Sequence, residues 1–397
     1  MRYLFLFIFV CLSFKNIAQF RQLSPEAEIS LLTIGPGKNL YDTFGHTAIH
    51  VKDTDRNLNV VFNYGYFNLE APNFYLKFAR GKLLYKLGFN PYDAFYESYV
   101  HEERWIKGQV LNLTIAEKQA VFNFLANNAK PENSTYLYDF FYDNCATRPL
   151  DVLKTISNNQ LELNIDHFPS GKTHRDLIHD YVPVNTWGRL GIDIALGSVI
   201  DKKVDKQYYL FLPDYMMEAF AKAKLTNTHT DKPLVSKVED RFTSDELAIY
   251  GHSFILSPFL ILTILAIVLI WKTYADFKAK RRPYLLDKLI LFLTGVIGIL
   301  LFLLWTATDH TATAWNYNLL WAFPFNFIAL FAFSKNRQKK WLLPYLKLVI
   351  ILLALLTTHW IIGVQIFAVA LIPILLALGF RYIYMWNIFN GFNPRES

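Results

Sequence analysis

Residues 141–150 read FYDNCATRPL and combine a cysteine with the signals of a helix start. Asp143 and Asn144 are favourable helix N-caps, and an apolar periodic run follows them. We therefore predict a helix that begins close to Cys145. At a helix start, unpaired backbone N–H groups and the helix dipole favour a thiolate and can bind an oxyanion.

The other cysteine, Cys11, lies in a segment that is typical of an export signal. Residues 1–18 place Arg2 ahead of an apolar run that is too short for a comfortable membrane span. Removal of this signal leaves Cys145 as the only thiol, with no partner for an internal disulfide. The alternative is that Cys145 is an inert buried residue that packs as a small hydrophobe.

The formal net charge of +7 does not indicate a nucleic-acid partner. Residues 251–397 carry 13 Lys and Arg against 4 Asp and Glu, whereas residues 1–250 carry 27 against 29. The positive charges lie in loops between apolar segments, where membrane topology accounts for them. We find no nucleic-acid-binding motif in the sequence.

Five apolar segments predict an all-α membrane domain of about five transmembrane helices. The loops at 272–288 and 334–347 carry six and five Lys and Arg. The positive-inside rule therefore places these loops and the C-terminus in the cytoplasm and the N-terminal part on the periplasmic side of a multi-pass inner-membrane protein. The five segments are 254–271, 289–305, 319–333, 345–361 and 362–380.

The part before the membrane domain mixes alternating and helical patterns, which predicts an α+β exported domain. The expected strands are 29–34, 44–51, 58–67 and 83–88, and the expected helices are 92–106, 114–129 behind a capping box, and most of 167–222. The predicted divisions of the chain are a signal peptide at 1–18, an exported catalytic domain at 19–223, a linker helix or tether at 224–250, the membrane domain at 251–385 and a cytoplasmic tail at 386–397.

A thiolate nucleophile needs a base and a third group that orients the base. His46 is on a predicted strand upstream of Cys145 and is the candidate base. The neighbouring strand brings Asn63 and Tyr64 into range, and Asn63 is the preferred orienting residue. His50 shares the face of His46 but lies roughly 13 Å further along the strand, so it is at most an alternative base.

A metal or cofactor site is not predicted. The spacings of His167, His174 and His179 fit no usual helical ligand pair, and we find no Walker or Rossmann motif.

Several polar residues are candidates for substrate binding. Tyr64 and Asn144 flank the predicted catalytic residues, and Arg148 lies one helical turn after Cys145. Arg148 suits a phosphate or carboxylate, or else an ion pair with Asp143 or Asp151. The predicted outer loop has a polar group suited to a lipid head group, although an interfacial aromatic belt explains its tryptophans. The group is Asp309, His310, Asn316 and Asn318.

The order of the two residues, a histidine on a strand and later a cysteine on a helix, resembles that of the permuted branch of the NlpC-type, papain-like thiol fold. Lecithin–retinol acyltransferase belongs to this branch. More narrowly, the chain resembles the bacterial lipoprotein N-acylation transferase (Lnb) family. The resemblance covers nearly the whole exported part and some of the membrane domain. The stretches that carry it are GHTAIHV at 45–51, VFNYGYF at 61–67, LNLT at 111–114, YDNCATRPLD at 142–151, GIDIALG at 191–197, FLPDYMMEAF at 211–220 and NYNLLWAFP at 316–324.

The resemblance implies a membrane-bound acyltransferase without a cofactor or metal. Cys145 would attack an ester of a diacylglyceryl lipid to form a thioester, and His46 would accept the thiol proton or stabilise a pre-formed thiolate. The N–H groups at the start of the cysteine helix would stabilise the oxyanion. The N-terminal amine of a lipoprotein would then take the acyl chain.

Two other functions stay open from the residues alone. A cell-wall peptidase or amidase of the same fold would use the same residues, although it would not need five spans. A membrane scaffold or lipid-binding protein would leave Cys145 inert. Fast alkylation at neutral pH distinguishes a thiolate from a buried structural cysteine.

Overall fold

The structure is a computed structural model. Cys11, the predicted signal peptide and the last six residues of the predicted tail lie outside the residues that it describes. The described ranges are 21–68, 70–158, 160–226, 231–244, 250–251, 254–281, 284–332 and 340–391.

An antiparallel seven-stranded sheet organises the exported part, with the strand order β10-β5-β1-β2-β3-β4-β6. A small second sheet has the order β7-β8-β9. The strands are β1 Glu28–Ile34, β2 His46–Asp53, β3 Leu58–Tyr66, β4 Leu84–Pro91, β5 Ile106–Leu111, β6 Thr135–Leu137, β7 Leu161–Glu162, β8 Lys224–Thr226, β9 Asp231–Pro233 and β10 Val235–Phe242.

Helices cover the sheet and then form the C-terminal part, which confirms the predicted α+β domain followed by an all-α membrane domain. The exported part has α1 Phe74–Ala79, α2 Tyr92–His101, α3 Ile115–Asn128, α4 Thr147–Ile156, α5 His174–Tyr181, α6 Trp187–Ala195 and α7 Pro213–Ala221. The C-terminal part has α8 Pro258–Lys278, α9 Leu285–Thr306, α10 Asn326–Ala329, α11 Leu342–Ile361 and α12 Ile372–Phe389.

The two faces of the sheet bury different cores because alternate side chains point to opposite sides. Ile49 and Val51 of β2 enter the large core that also contains residues of α3, α4 and α7. Ala48 enters a smaller core with Phe95 of α2. His46 stacks on an aromatic ring of α2 as well, which confirms that it lies on the Ala48 face.

We predicted a linker helix or tether at 224–250, and this prediction is wrong for most of the residues that the structure describes in that range. Residues 235–242 form β10, which pairs with β5 at the edge of the large sheet. Half of its side chains are exposed and none is buried, and the strand carries four charged residues, Lys237, Glu239, Asp240 and Arg241. Such charges are common on edge strands because they discourage pairing with other chains, and here they conceal the strand pattern.

The predicted helix at 92–106 is too long. It ends at His101, and Glu103 adopts a left-handed backbone with a φ of 58° that breaks the helix. Residues 106–111 then form β5, between β1 and β10. The sequence IKGQVL lacks a clean alternation of apolar and polar residues, so periodicity alone did not indicate this strand.

Four helical runs in the described residues are long and apolar enough to cross a membrane: α8, α9, α11 and Val369–Phe389, which contains α12. The helices that correspond to the predicted spans at 254–271 and 362–380 therefore lie four to nine residues further toward the C-terminus than predicted, and the predicted tail at 386–397 starts inside α12. The predicted third span is instead a series of short helices, Tyr317–Leu320, α10 and Leu330–Ala332. Pro324 lies between the first two and cannot continue a helix.

Two glycines of α9 allow this broken segment to pack closely. A Cβ added to Gly298 would lie 2.0 Å from the carbonyl oxygen of Ala322, and one added to Gly295 would lie 2.4 Å from the amide nitrogen of Phe327. The Asn326 side chain donates to Thr294 Oγ1 of α9 at 2.8 Å. Small residues at such a contact let two backbones approach each other.

Gly298→Ala should therefore destabilise the membrane domain by roughly 1–3 kcal/mol, because the added methyl group must displace backbone. Gly379→Ala is the matched control, since a Cβ at Gly379 meets nothing within 4 Å. Thermal unfolding in detergent should show a lower Tm for the first variant and an unchanged or higher Tm for the second. Equal Tm values would contradict this account of the packing.

Candidate active site

The structure brings Cys145, His46 and Asn63 together at one end of the large sheet. The loop before α4 places Cys145 beside His46, the first residue of β2, and the two side chains are hydrogen-bonded. His46 Nε2 is hydrogen-bonded to Oδ1 of Asn63 on β3. Because an amide oxygen can only accept, Nε2 carries the proton and Nδ1 is left for the thiol.

A local irregularity of β3 helps to position Asn63. Its register against β4 shifts between Asn63 and Tyr66, and Gly65 has a φ of 102° that favours glycine. A Cβ added at Gly65 would lie 4.0 Å from His46 Cε1, an ordinary contact, so it is the backbone conformation rather than space that favours glycine here.

Charge attraction between Cys145 and His46 reverses the effect of burial on both groups. Burial alone raises the pKa of the Cys145 thiol, but the His46 charge and hydrogen bond lower it more. Burial likewise lowers the pKa of His46, but the Cys145 thiolate and the bond to Asn63 raise it above its ordinary value. The pair therefore favours thiolate and imidazolium, which is the reactive state of a cysteine nucleophile.

The N-cap residue of α4 is Ala146 rather than the predicted Asp143 or Asn144, but the Asn144 side chain still binds the amides at the helix start and is fully used in doing so. Its Oδ1 accepts from the amides of Ala146 and Thr147 at 2.8 and 3.0 Å. Its Nδ2 donates to the carbonyls of Phe140 and Phe211, both at 2.8 Å. Four hydrogen bonds satisfy the amide completely, so the structure gives Asn144 a supporting position beneath the thiol rather than a free group for substrate.

These hydrogen bonds of Asn144 also change which donors are left for an oxyanion. The amides of Ala146 and Thr147 are engaged by Asn144, so the helix start does not offer them as the sequence suggests. The amides of Cys145 and Thr47 point at the sulfur and help to lower the pKa of the thiol. The Cys145 amide is the donor at the helix start that stays close to the reacting atom.

Tyr99 and Arg104 also belong to the site, although neither was predicted as a site residue from the sequence. The Tyr99 ring stacks on His46 with centroids 6.4 Å apart, and the Arg104 guanidinium lies 4.9 Å from the Tyr99 centroid. The Arg104 charge opposes the raised pKa of His46. A signal for Tyr99 did exist, because aromatic residues recur in α2 at the spacing of one helical face; they are Tyr92, Phe95, Tyr96 and Tyr99.

Tyr64 and Arg148 have structural partners. The Tyr64 hydroxyl is buried and donates to Asn128 Oδ1 at 2.8 Å. Arg148 forms a two-point ion pair with Asp143 and lies 4.1 Å from the Tyr136 ring centroid. Of the two alternatives for Arg148, the structure therefore contains the ion pair with Asp143.

His50 is separate from the thiol. Its Nε2 is hydrogen-bonded to Asn59 Oδ1 at 2.7 Å, and its ring stacks on Tyr92. Burial lowers its pKa to about 4, so it is neutral where His46 is charged.

Asn316 and Asn318 join the exported and membrane parts. Asn316 Nδ2 donates to the carbonyls of Ile194 and Ala195 at 2.8 and 3.0 Å. Asn318 Nδ2 donates to the carbonyl of Asp193 at 2.9 Å. The last carbonyls of a helix have no partner within the helix, and here the two asparagines satisfy those of α6.

Asp309 and His310 contact the C-terminal end of α1 and the residue that follows it. The Asp309 amide donates to the carbonyl of Arg80 at 2.9 Å, and His310 Nε2 donates to the carbonyl of Phe78 at 2.9 Å. Next to them, Thr311 Oγ1 donates to Asp139 Oδ2 at 3.1 Å. The loop proposed for a lipid head group is therefore also a docking surface for the exported domain.

Two family models match the chain. The model for the Lnb N-terminal periplasmic domain matches residues 16–189, and the model for the Lnb transmembrane domain matches residues 251–390.

The chain belongs to the Lnb family. It is a membrane protein with a periplasmic N-terminal domain, as the sequence predicts. No curated protein and no solved structure matches it. The Lnb periplasmic model includes His46, Asn63 and Cys145 within its matched range.

The thiol pair predicts a specific pH dependence of alkylation. Because the pKa of Cys145 is lowered, the rate of reaction with iodoacetamide should stay high at neutral pH and fall only as the pH drops through that lowered pKa. His46→Ala removes the opposing charge, so burial should raise the pKa of the thiol and lower the rate at neutral pH by about tenfold or more.

His50→Ala is the matched control, because it removes a histidine from the same face that does not contact the thiol. It should leave the pH profile of alkylation unchanged. A profile of the His46→Ala variant that equals the wild type would show that the pair does not set the state of Cys145.

Proposed function

We propose that this protein is a membrane-bound cysteine acyltransferase. It transfers a fatty acyl chain from a glycerolipid ester, by way of a Cys145 thioester, to the N-terminal amine of a bacterial lipoprotein. The observation that carries the proposal is the hydrogen-bonded set of Cys145, His46 and Asn63 at one end of the large sheet. Membership of the Lnb family supports the same class of reaction.

The sheet register supports access from the membrane. Ile34, His46, Ile106 and Phe242 meet at one end of the sheet, through the pairs Ile34↔His46, Ile34↔Ile106 and Phe242↔Ile106. Asp139, close to Cys145, contacts the loop after α9. This arrangement suits a lipid substrate, which has to reach the thiol from the bilayer surface. A soluble substrate would not require a site in this position.

The first step is acylation of the enzyme. The Cys145 sulfur attacks the ester carbonyl, and the Cys145 amide is placed to donate to the developing oxyanion. Collapse of the tetrahedral intermediate breaks the ester C–O bond. The leaving alkoxide takes the proton of the His46 imidazolium, which leaves an acyl thioester and a neutral imidazole.

The second step transfers the acyl chain. The neutral amine of the lipoprotein attacks the thioester carbonyl, a C–N bond forms and the C–S bond breaks. His46 accepts the amine proton, and the thiolate and imidazolium pair is restored. Aminolysis of a thioester is downhill, so the reaction needs no external energy source. Asn63 holds the tautomer that both proton transfers require.

The distribution of Lys and Arg between the loops indicates how the protein is oriented in the membrane. The Lys- and Arg-rich loops indicate that the C-terminus is cytoplasmic and that the protein spans the inner membrane. The catalytic domain then faces the periplasm, where exported lipoproteins present their N-terminal cysteine. The partners are therefore a diacylglyceryl lipid or lipoprotein and the bilayer itself.

Incubation with a synthetic diacylated lipopeptide and phospholipid tests this function directly. The wild type should add one acyl mass to the lipopeptide amine, whereas Cys145→Ala should add none. A lipopeptide with an acetylated amine is the control and should gain nothing. Cleavage of a cell-wall peptide without acyl transfer would favour the peptidase alternative and overturn the proposal.

Asn63→Ala should lower kcat by roughly tenfold to a hundredfold, because His46 loses its orienting partner. Asn63→Asp keeps an oxygen in the same place and should restore most of the rate. Asn59→Ala removes the equivalent partner of His50 and should leave kcat close to wild type. The proposed role of Asn63 fails if the Asn63→Ala and Asn59→Ala variants have the same rate.

A further inference from the structure

Helix α1 is short and has none of its residues buried in the protein. Three large side chains on it are exposed: Tyr75 by 81%, Leu76 by 58% and Phe78 by 53%. A six-residue helix is marginal in water, and exposed clusters of this kind mark interaction sites.

The contacts of α1 place it at the membrane surface. The loop after α9 holds it through the Asp309 amide bond to Arg80, the His310 bond to Phe78 and a 3.7 Å ion pair between Lys82 and Asp309. A Cβ added to Gly81 would lie 3.1 Å from the His310 amide nitrogen, so the two segments touch closely. This loop joins the periplasmic end of α9, where the apolar span stops.

A pair of tryptophans lies at the same end of α9 as the loop that contacts α1. Trp305, at the end of α9, and Trp315 lie with ring centroids 5.1 Å apart, and Trp315 is 57% exposed. Tryptophans at the end of a membrane helix sit at the depth of the lipid head groups. The exposed side chains of α1 thus continue the apolar surface of the membrane domain.

The charges of α1 select its partner. Lys77 lies in the helix and Arg80 and Lys82 follow it, and the helix contains no acidic residue. Aromatic and leucine side chains together with Lys and Arg are typical of helices that lie in a membrane interface and attract anionic lipids.

We infer that α1 is an interfacial helix that inserts Tyr75, Leu76 and Phe78 into the periplasmic leaflet of the bilayer. A row of aromatic rings connects it to the candidate site: Phe74–Phe67 at 5.9 Å, Phe67–Tyr85 at 5.4 Å and Tyr85–Tyr138 at 4.4 Å. The Cys145 charge acts on Tyr138, where it adds to the effect of burial in raising the pKa of that phenol. On the proposed function, this row marks the side from which lipid reaches the thiol.

Fluorescence quenching in lipid nanodiscs tests the insertion without relying on activity. The full chain, with Cys11 and Cys145 replaced by Ser, carries Leu76→Cys labelled with an environment-sensitive fluorophore. Lipids with a doxyl quencher near the head-group end of the acyl chain should reduce the emission by about twofold or more. Tyr75→Cys gives a second labelling position on the same helix.

Ile115→Cys is the matched control. Ile115 is apolar and 45% exposed, and it follows Leu111 at the opposite end of the sheet, so its label should not be quenched. Quenching at residue 76 no greater than at residue 115 would overturn the inference. A blue-shifted emission without doxyl quenching would overturn it too, because a protein partner or a second copy would then cover α1.

A kinetic measurement separates this inference from the proposed function. In lipid nanodiscs, Leu76→Ser and Phe78→Ser should raise the mole fraction of substrate lipid needed for half-maximal acyl transfer and leave kcat unchanged. Quenching without any acyl transfer by the wild type would support the interfacial helix and contradict the proposed function. Acyl transfer without quenching would support the proposed function and contradict the interfacial helix.

Discussion

The hydrogen bond between Cys145 and His46 is the interaction on which the site depends. Both groups are half-buried, and burial by itself favours their neutral forms. Their mutual attraction reverses this preference only while the imidazole stays oriented, and that orientation comes from Asn63 on the neighbouring strand. The register of β2 and β3, the break at Gly65 and the cap formed by Asn144 therefore serve the geometry of one ion pair.

The membrane domain contributes to this geometry through polar contacts rather than through an apolar interface alone. Asn316 and Asn318 satisfy the last carbonyls of α6, and Thr311 contacts Asp139 close to Cys145. These bonds fix the sheet end with the thiol against the periplasmic end of the spans. A reaction on lipid needs this arrangement, because neither an acyl chain nor a lipoprotein anchor leaves the bilayer readily.

Local signals predicted most of the site, whereas long-range contacts did not follow from the sequence. The alternation around His46 and the role of Asn144 at the helix start are properties of a few adjacent residues, so the sequence predicted both. The same holds for the capping box of Thr114. The roles of Asn316 and Asn318 depend on carbonyls more than a hundred positions away. β5 and β10 were missed because a short strand with Gly108 and a charged edge strand show no clear period.

The intact mass of the purified full chain after incubation with a diacylated lipid shows whether a Cys145 thioester forms. The wild type should gain one fatty-acyl mass that neutral hydroxylamine removes, and Cys145→Ala should gain none. The incubation contains no amine acceptor, so the thioester is not consumed by acyl transfer. An acyl adduct on Cys145→Ala, or none on the wild type, would contradict a Cys145 thioester.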